Sequence, residues 1–113
     1  NFGVVYEAPD HPVGCAPAYD IVTTQVYLPR DVMALTLDGR KSWPSAKVML
    51  QFAQRHCGLG GAQAREILSE VADAVADVGA GMLVEAGMRG GFGPIAQAMR
   101  QVWDQGVTRS LVE

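Results

Sequence analysis

The chain has 113 residues, about the size of one compact domain, and 49% of them are apolar, enough for a single core. Nine Lys and Arg against twelve Asp and Glu leave a net charge of −3, and the basic residues are scattered, so direct nucleic-acid binding is not expected. No run approaches the ~18 apolar residues of a membrane span, and no basic-then-apolar leader is present.

In chain order, residues 1–28 read as extended. Phe2-Gly3-Val4-Val5-Tyr6 is β-branched and aromatic, and Val13-Gly14-Cys15-Ala16 is a shorter apolar run. Between them Ala8-Pro9-Asp10-His11-Pro12 signals a turn, since proline fixes φ and removes ladder donors. The two runs form one predicted β-hairpin, which is marginal alone and has to pack on something. Residues 29–43 form a connector, broken by Pro29 and turned by Asp38-Gly39, with a short strand or extended segment expected from Met33 to Leu37.

From Trp43 the period becomes helical. Pro44 suits a first helical position, and Val48, Met49, Phe52 and Ala53 share a face until Gly58 stops the helix. A second helix is expected from about Ala62, with Ala64, Ile67, Leu68, Val71, Val75, Val78 and Met82 on its apolar side. Gly79 and Gly81 inside it mark a bend, an end or a close approach of a neighbour. Arg89-Gly90-Gly91-Phe92-Gly93 is a loop rather than a phosphate cradle, because it follows a helix and lacks the Gly-Lys-Ser/Thr ending. Pro94 opens a third helix, with Ile95, Met99, Val102, Trp103 and Val107 facing inward. The fold class is therefore mainly α: an N-terminal β-hairpin followed by a bundle of at least three helices, treated as a single domain over residues 1–113.

Cys15 and Cys57 lie far apart without a C-x-x-C partner, which fits a reducing, cytoplasmic compartment. His56 beside Cys57 lacks the further ligands that zinc needs, so Cys57 reads as a buried thiol at a helix end. The residues that carry chemistry are instead Asn1 and Asp20. A hairpin turning near Asp10 folds back to set Asn1 opposite residues 18–20, within about 5 Å or one step beyond. An amide oxygen and a carboxylate converging there suit Mg2+, which takes few protein ligands beside waters and phosphates. On spacing alone, a turn residue and a frayed end are the plainer readings.

The stretch Ala16-Pro17-Ala18-Tyr19-Asp20-Ile21-Val22-Thr23-Thr24 resembles the P-x-Y-D metal-binding segment of the HipA family, serine/threonine kinase toxins of bacterial toxin–antitoxin systems. Asn1-Phe2 resembles the end of that family's D-x-H-x-x-N-F catalytic motif, and residues 33–39 resemble its M-A-L-x-hydrophobic-x-G stretch. The resemblance implies the C-terminal lobe of a kinase-like fold, with Asn1 and Asp20 as the metal and cofactor ligands for Mg2+ and ATP. It also implies that the catalytic base precedes Asn1, so that this chain alone transfers no phosphate. The implied partners are a HipB-like helix-turn-helix antitoxin and a protein substrate such as an aminoacyl-tRNA synthetase.

The remaining residues read more plainly. Tyr19 fills space beneath the metal loop, Thr23 and Thr24 cap a short helix after Asp20, and His11 and Arg40-Lys41 face solvent. Trp43 and Trp103 occupy helix-face packing positions. The alternative to a kinase part is a non-catalytic helical interaction module in which Asn1 and Asp20 never meet.

Overall fold

The structure, a computed structural model, describes residues 2–112. Strands β1 (Val4–Ala8) and β2 (His11–Cys15) precede a 3₁₀ turn at Thr24–Val26 and helices α1 (Ala46–His56), α2 (Gly61–Met88) and α3 (Gly93–Ser110). The architecture is thus mainly α with an antiparallel N-terminal hairpin, as the residue pattern predicts. Among the described residues no helix is long and apolar enough to cross a membrane.

The hairpin turns at Pro9-Asp10 and pairs Val4 with Cys15, Val5 with Gly14, Tyr6 with Pro12 and Ala8 with His11. The register slips on both sides of Tyr6, where Pro12 has no N–H to offer the ladder. One further bond, from the Ala16 N–H to the Gly3 carbonyl at 2.8 Å, carries the pairing toward the chain start. Every strand residue is exposed, and no strand Cα comes within 8 Å of a helix Cα. The packing partner expected for the hairpin is therefore not a helix of this chain.

Beyond the strands, residues 16–23 form an irregular segment rather than continuing the extended chain. In the connector the Asp31 N–H meets the Leu28 carbonyl at 2.8 Å, closing a turn over Pro29-Arg30. The expected strand from Met33 to Leu37 shrinks to a single bridge between Leu37 and Arg40. Its cause is the turn that follows at once: Asp38 and Gly39 have φ of 50° and 77°, the paired positive values of a type I′ turn. The chain reverses before a strand can grow. Arg55 and His56, on the last turn of α1, reach the Asp38 carboxylate at 3.7 and 3.4 Å and hold this turn against the helix.

Helix α1 begins at Ala46, two residues after Pro44, because the extended Ser45 accepts the Val48 N–H on its Oγ at 3.4 Å. Trp43 consequently lies before the helix rather than on its face, and its indole N–H donates to the Asp31 carbonyl at 3.2 Å. Gly58, at φ 67°, ends α1 in the left-handed conformation that a side chain resists. Cys57 beside it is exposed, as is Cys15, so the expected buried thiol is corrected: the stop falls at the surface.

Helix α2 runs unbroken through Gly79 and Gly81. Of the three readings for these glycines, Gly79 is the close approach. It is buried, and the guanidinium of Arg100 lies across it, donating from Nη1 to the Ala76 carbonyl at 3.0 Å. The buried line along α2 is Ala64, Gly79 and Ala86, with Leu68, Val75 and Met82 half-buried between them. Ile67, Val71 and Val78, expected to face inward, remain 41%, 45% and 62% exposed.

The core they miss is four alanines, Ala46, Ala64, Ala86 and Ala96, around a single larger side chain, Leu50. Alanine lets helix backbones approach closely but leaves little depth to cover larger neighbours.

Candidate metal centre

Asp20 lies in the middle of the irregular segment that follows β2. Its φ of 54° lies in the left-handed region, which Asp tolerates better than most residues, and its side chain is exposed. Asn1, the other half of the predicted pair, lies outside the described residues. What the structure does place is the path between them. The Ala16–Gly3 bond turns residues 16–19 back over the chain start, and the Tyr19 ring lies across Gly3. A Cβ at Gly3 would stand 3.3 Å from the Ala16 Cβ and 3.8 Å from the Tyr19 ring. Gly3 therefore lets the segment lie flat on β1's approach, and Tyr19, half exposed, rests on it rather than filling a core.

The donor chemistry at Asp20 suits a hard cation that keeps most of its waters or takes phosphate oxygens. The described residues contain no group of three or more His, Cys, Asp or Glu arranged to hold a metal. Of the predicted pair of metal ligands, the described residues contain Asp20 alone, an exposed carboxylate outside any such group. His56 lies within ion-pair reach of the Asp38 carboxylate and tilts against Phe52 with ring centroids 5.0 Å apart.

Two side-chain hydrogen bonds hold the stretch that leaves Asp20. Thr23 stands at the N-cap of the 3₁₀ turn but makes no side-chain cap. Its Oγ1 instead accepts the Trp103 indole N–H at 2.6 Å. Thr24 donates from Oγ1 to the Asp31 carboxylate. The predicted capping role of both threonines is thus corrected: each side chain spends its hydrogen bond on a distant segment, because the turn is too short to demand a cap. Near the far end of α3, Ser110 donates to the Pro44 carbonyl at 2.6 Å.

Helix α3 therefore grips the chain at two points, beside Asp20 and ahead of α1. Trp103 was recognisable as a packing residue, but its bond to Thr23 spans 80 positions and has no local signature. Next to this contact, Ile21, Val22 and Trp43 face Val71 and Val78 of α2 across an apolar groove of about 580 Å³.

Residues 1–78 match the family model of the HipA-like C-terminal domain. The match takes in the hairpin, the Asp20 segment, the connector, α1 and α2 as far as Val78. No curated protein and no solved structure matches the chain. Because the matched span is well over half of the 113 residues, the chain belongs to the HipA-like C-terminal domain family.

Proposed function

We propose that the chain is the C-terminal part of a HipA-like serine/threonine protein kinase and that Asn1 and Asp20 hold Mg2+ for ATP. The observation that supports this most is the fold-back of residues 16–19 over Gly3, which carries Asp20 toward the chain start within a family match that begins at residue 1. In kinases such an Asn and Asp hold the metal that bridges the phosphates and neutralises their charge. In this reading Asp20 supplies a carboxylate oxygen, the hairpin and the Ala16–Gly3 bond bring its segment back to Gly3, and the Thr23 and Thr24 bonds hold the outgoing chain. The base that accepts the hydroxyl proton belongs, in this reading, to the motif ahead of Asn1. The chain on its own then transfers no phosphate. A helix-turn-helix antitoxin, a protein substrate of the aminoacyl-tRNA synthetase kind and a cytoplasmic setting complete the proposal.

The test is Asp20→Ala in the intact protein, read as Mg2+-dependent phosphate transfer from ATP together with circular dichroism and melting. Transfer should vanish while helix content and melting stay close to the parent. Unchanged transfer would remove Asp20 from the metal site. The second reading, a non-catalytic interaction module, is favoured by the apolar groove between Ile21, Trp43 and α2. It requires that neither the parent nor Asp20→Ala bind ATP in a Mg2+-dependent way.

A further inference from the structure

We infer that two copies of this protein pair through the apolar groove, each laying the exposed ridge of its α2 into the groove of the other about a two-fold axis; the inference stands apart from the metal reading. Helix α2 carries more apolar surface than its neighbours cover. Val71, Ala74, Val75 and Val78 follow the i, i+3, i+4, i+7 spacing of one helix face. Val71 and Val78 keep 45% and 62% of their surface, and Ala74 is exposed between them. This ridge forms one side of the groove, about 10 Å or two helical turns long. Opposite it lie Ile21 and, on α3, Val102 and Gly106, and nothing stands within 4 Å of a Cβ built at Gly106. Arg109 is the single charged residue lining it. What fills such a trough is an apolar helix ridge with a carboxylate beside it, and α2 itself is that helix, with Asp73 and Asp77 flanking its ridge.

The ridge is symmetric about its own centre. Val71 and Val78 lie equally far outside Ala74 and Val75, so two antiparallel copies set Val71 opposite the second copy's Val78 and Ala74 opposite its Val75. Large meets small at the middle, which lets the helices approach closely. The charges agree with this register. Helix α3 runs back along α2, with Arg100 on the Ala76 carbonyl, and about two and a half turns further on Arg109 stands at the Val71 end of the groove. The two-fold axis brings the second copy's Val78 to that end, and its Asp77 with it. Among the described residues neither Arg109 nor Asp77 has an ion-pair partner, so each is free to pair across the axis. The area suffices as well. The chain exposes 8333 Å², about 2300 Å² more than a folded monomer of 12.0 kDa, whereas a standard interface covers about 800 Å² on each partner. Every contact is made twice, once in each direction, so the pair closes and does not grow.

The test is sedimentation of the intact protein from low to high micromolar concentration. The mass should rise from one chain to two and stop there. An apolar dye, bound at low concentration where the groove is open, should be released as the pair forms. Val71→Ser with Val78→Ser should leave single chains throughout. Arg109→Asp and Asp77→Arg should each raise the dimer Kd about tenfold, because each sets two like-charged pairs across the axis. Mixing these two variants in equal amounts should restore the parent Kd, since every charge contact in the mixed pair again joins Arg to Asp. All four positions are exposed, so helix content by circular dichroism should stay at the parent value.

Single chains that bind no dye would mean that another part of the protein or another partner fills the groove, and single chains that bind dye would mean that it stays empty; either result overturns the inference. Dimers indifferent to the valine and charge variants, or assemblies that grow beyond two, use another face and overturn it too. Charge variants that weaken the pair without rescuing each other would overturn the antiparallel register and the inference with it.

Discussion

Gly79 shows how a single missing methyl organises a helix crossing. A Cβ there would collide with Nη1 of Arg100, a guanidinium held in place by the Ala76 carbonyl and by Asp104 at 2.9 Å. Two effects oppose each other in Gly79→Ala. Helix propensity favours alanine by about 1 kcal/mol, whereas evicting Arg100 forfeits a charge-assisted hydrogen bond of about 1.5–3 kcal/mol. The second is larger, so urea denaturation should show a net loss of about 1 kcal/mol. In an Arg100→Ala background the same substitution should stabilise by about 1 kcal/mol, and a common sign in both backgrounds would place the role of Gly79 elsewhere. Gly58 is constrained differently: nothing lies within 4 Å of a Cβ built there, but its φ is 67°. Gly58→Ala should therefore cost about 1 kcal/mol from backbone strain alone, and Gly58→Asn less, by the same denaturation assay.

At the scale of elements, the hairpin and the helices differ in how they are secured. Strands with both faces in water and only each other for support open easily. Amide exchange should be fast across Val4–Ala8 and His11–Cys15 and slowest where α2 and α3 meet around Ala96. Protection of the hairpin equal to that of the helices would contradict this picture. The elements were legible wherever Pro and Gly punctuate the chain: Pro9-Asp10 at the hairpin turn, Asp38-Gly39 at the connector, Gly58 and Pro94 at helix ends. The core was less legible, because alanine carries too little hydrophobic signal to mark a face and Val71 and Val78 carry more than their exposure warrants. Of the candidate site, Asp20 rests on hairpin spacing and on the resemblance together, since an exposed carboxylate in an irregular segment has no period to mark it. The Trp103–Thr23 and Ser110–Pro44 bonds were out of reach for the same reason that tertiary contacts generally are: neither partner's neighbours predict the other.

The whole molecule is open for its length. It exposes 8333 Å², against about 6000 Å² expected for a folded monomer of 12.0 kDa. Its radius of gyration is 16.5 Å, against about 13 Å for a compact chain of this size. Among what it exposes are Ile21, Val22, Val71 and Val78, which border one groove, and clustered apolar side chains of this kind commonly mark contact with something else. The chain should bind an apolar reporter dye in native buffer, and Val71→Ser with Val78→Ser should reduce that signal while changing stability by about 0.5 kcal/mol or less. Dye binding that is absent, or indifferent to both substitutions, would mean the groove is covered in solution. The two grips of α3, on Thr23 and on Pro44, carry a mechanical consequence. Peeling α3 back from its C-terminal end would load the Ser110–Pro44 bond first and the Trp103–Thr23 bond after it, so the two fastenings that flank residues 29–43 give way in turn. Peeling from the other end of the chain would open the hairpin, which no helix holds, and leave both fastenings shut.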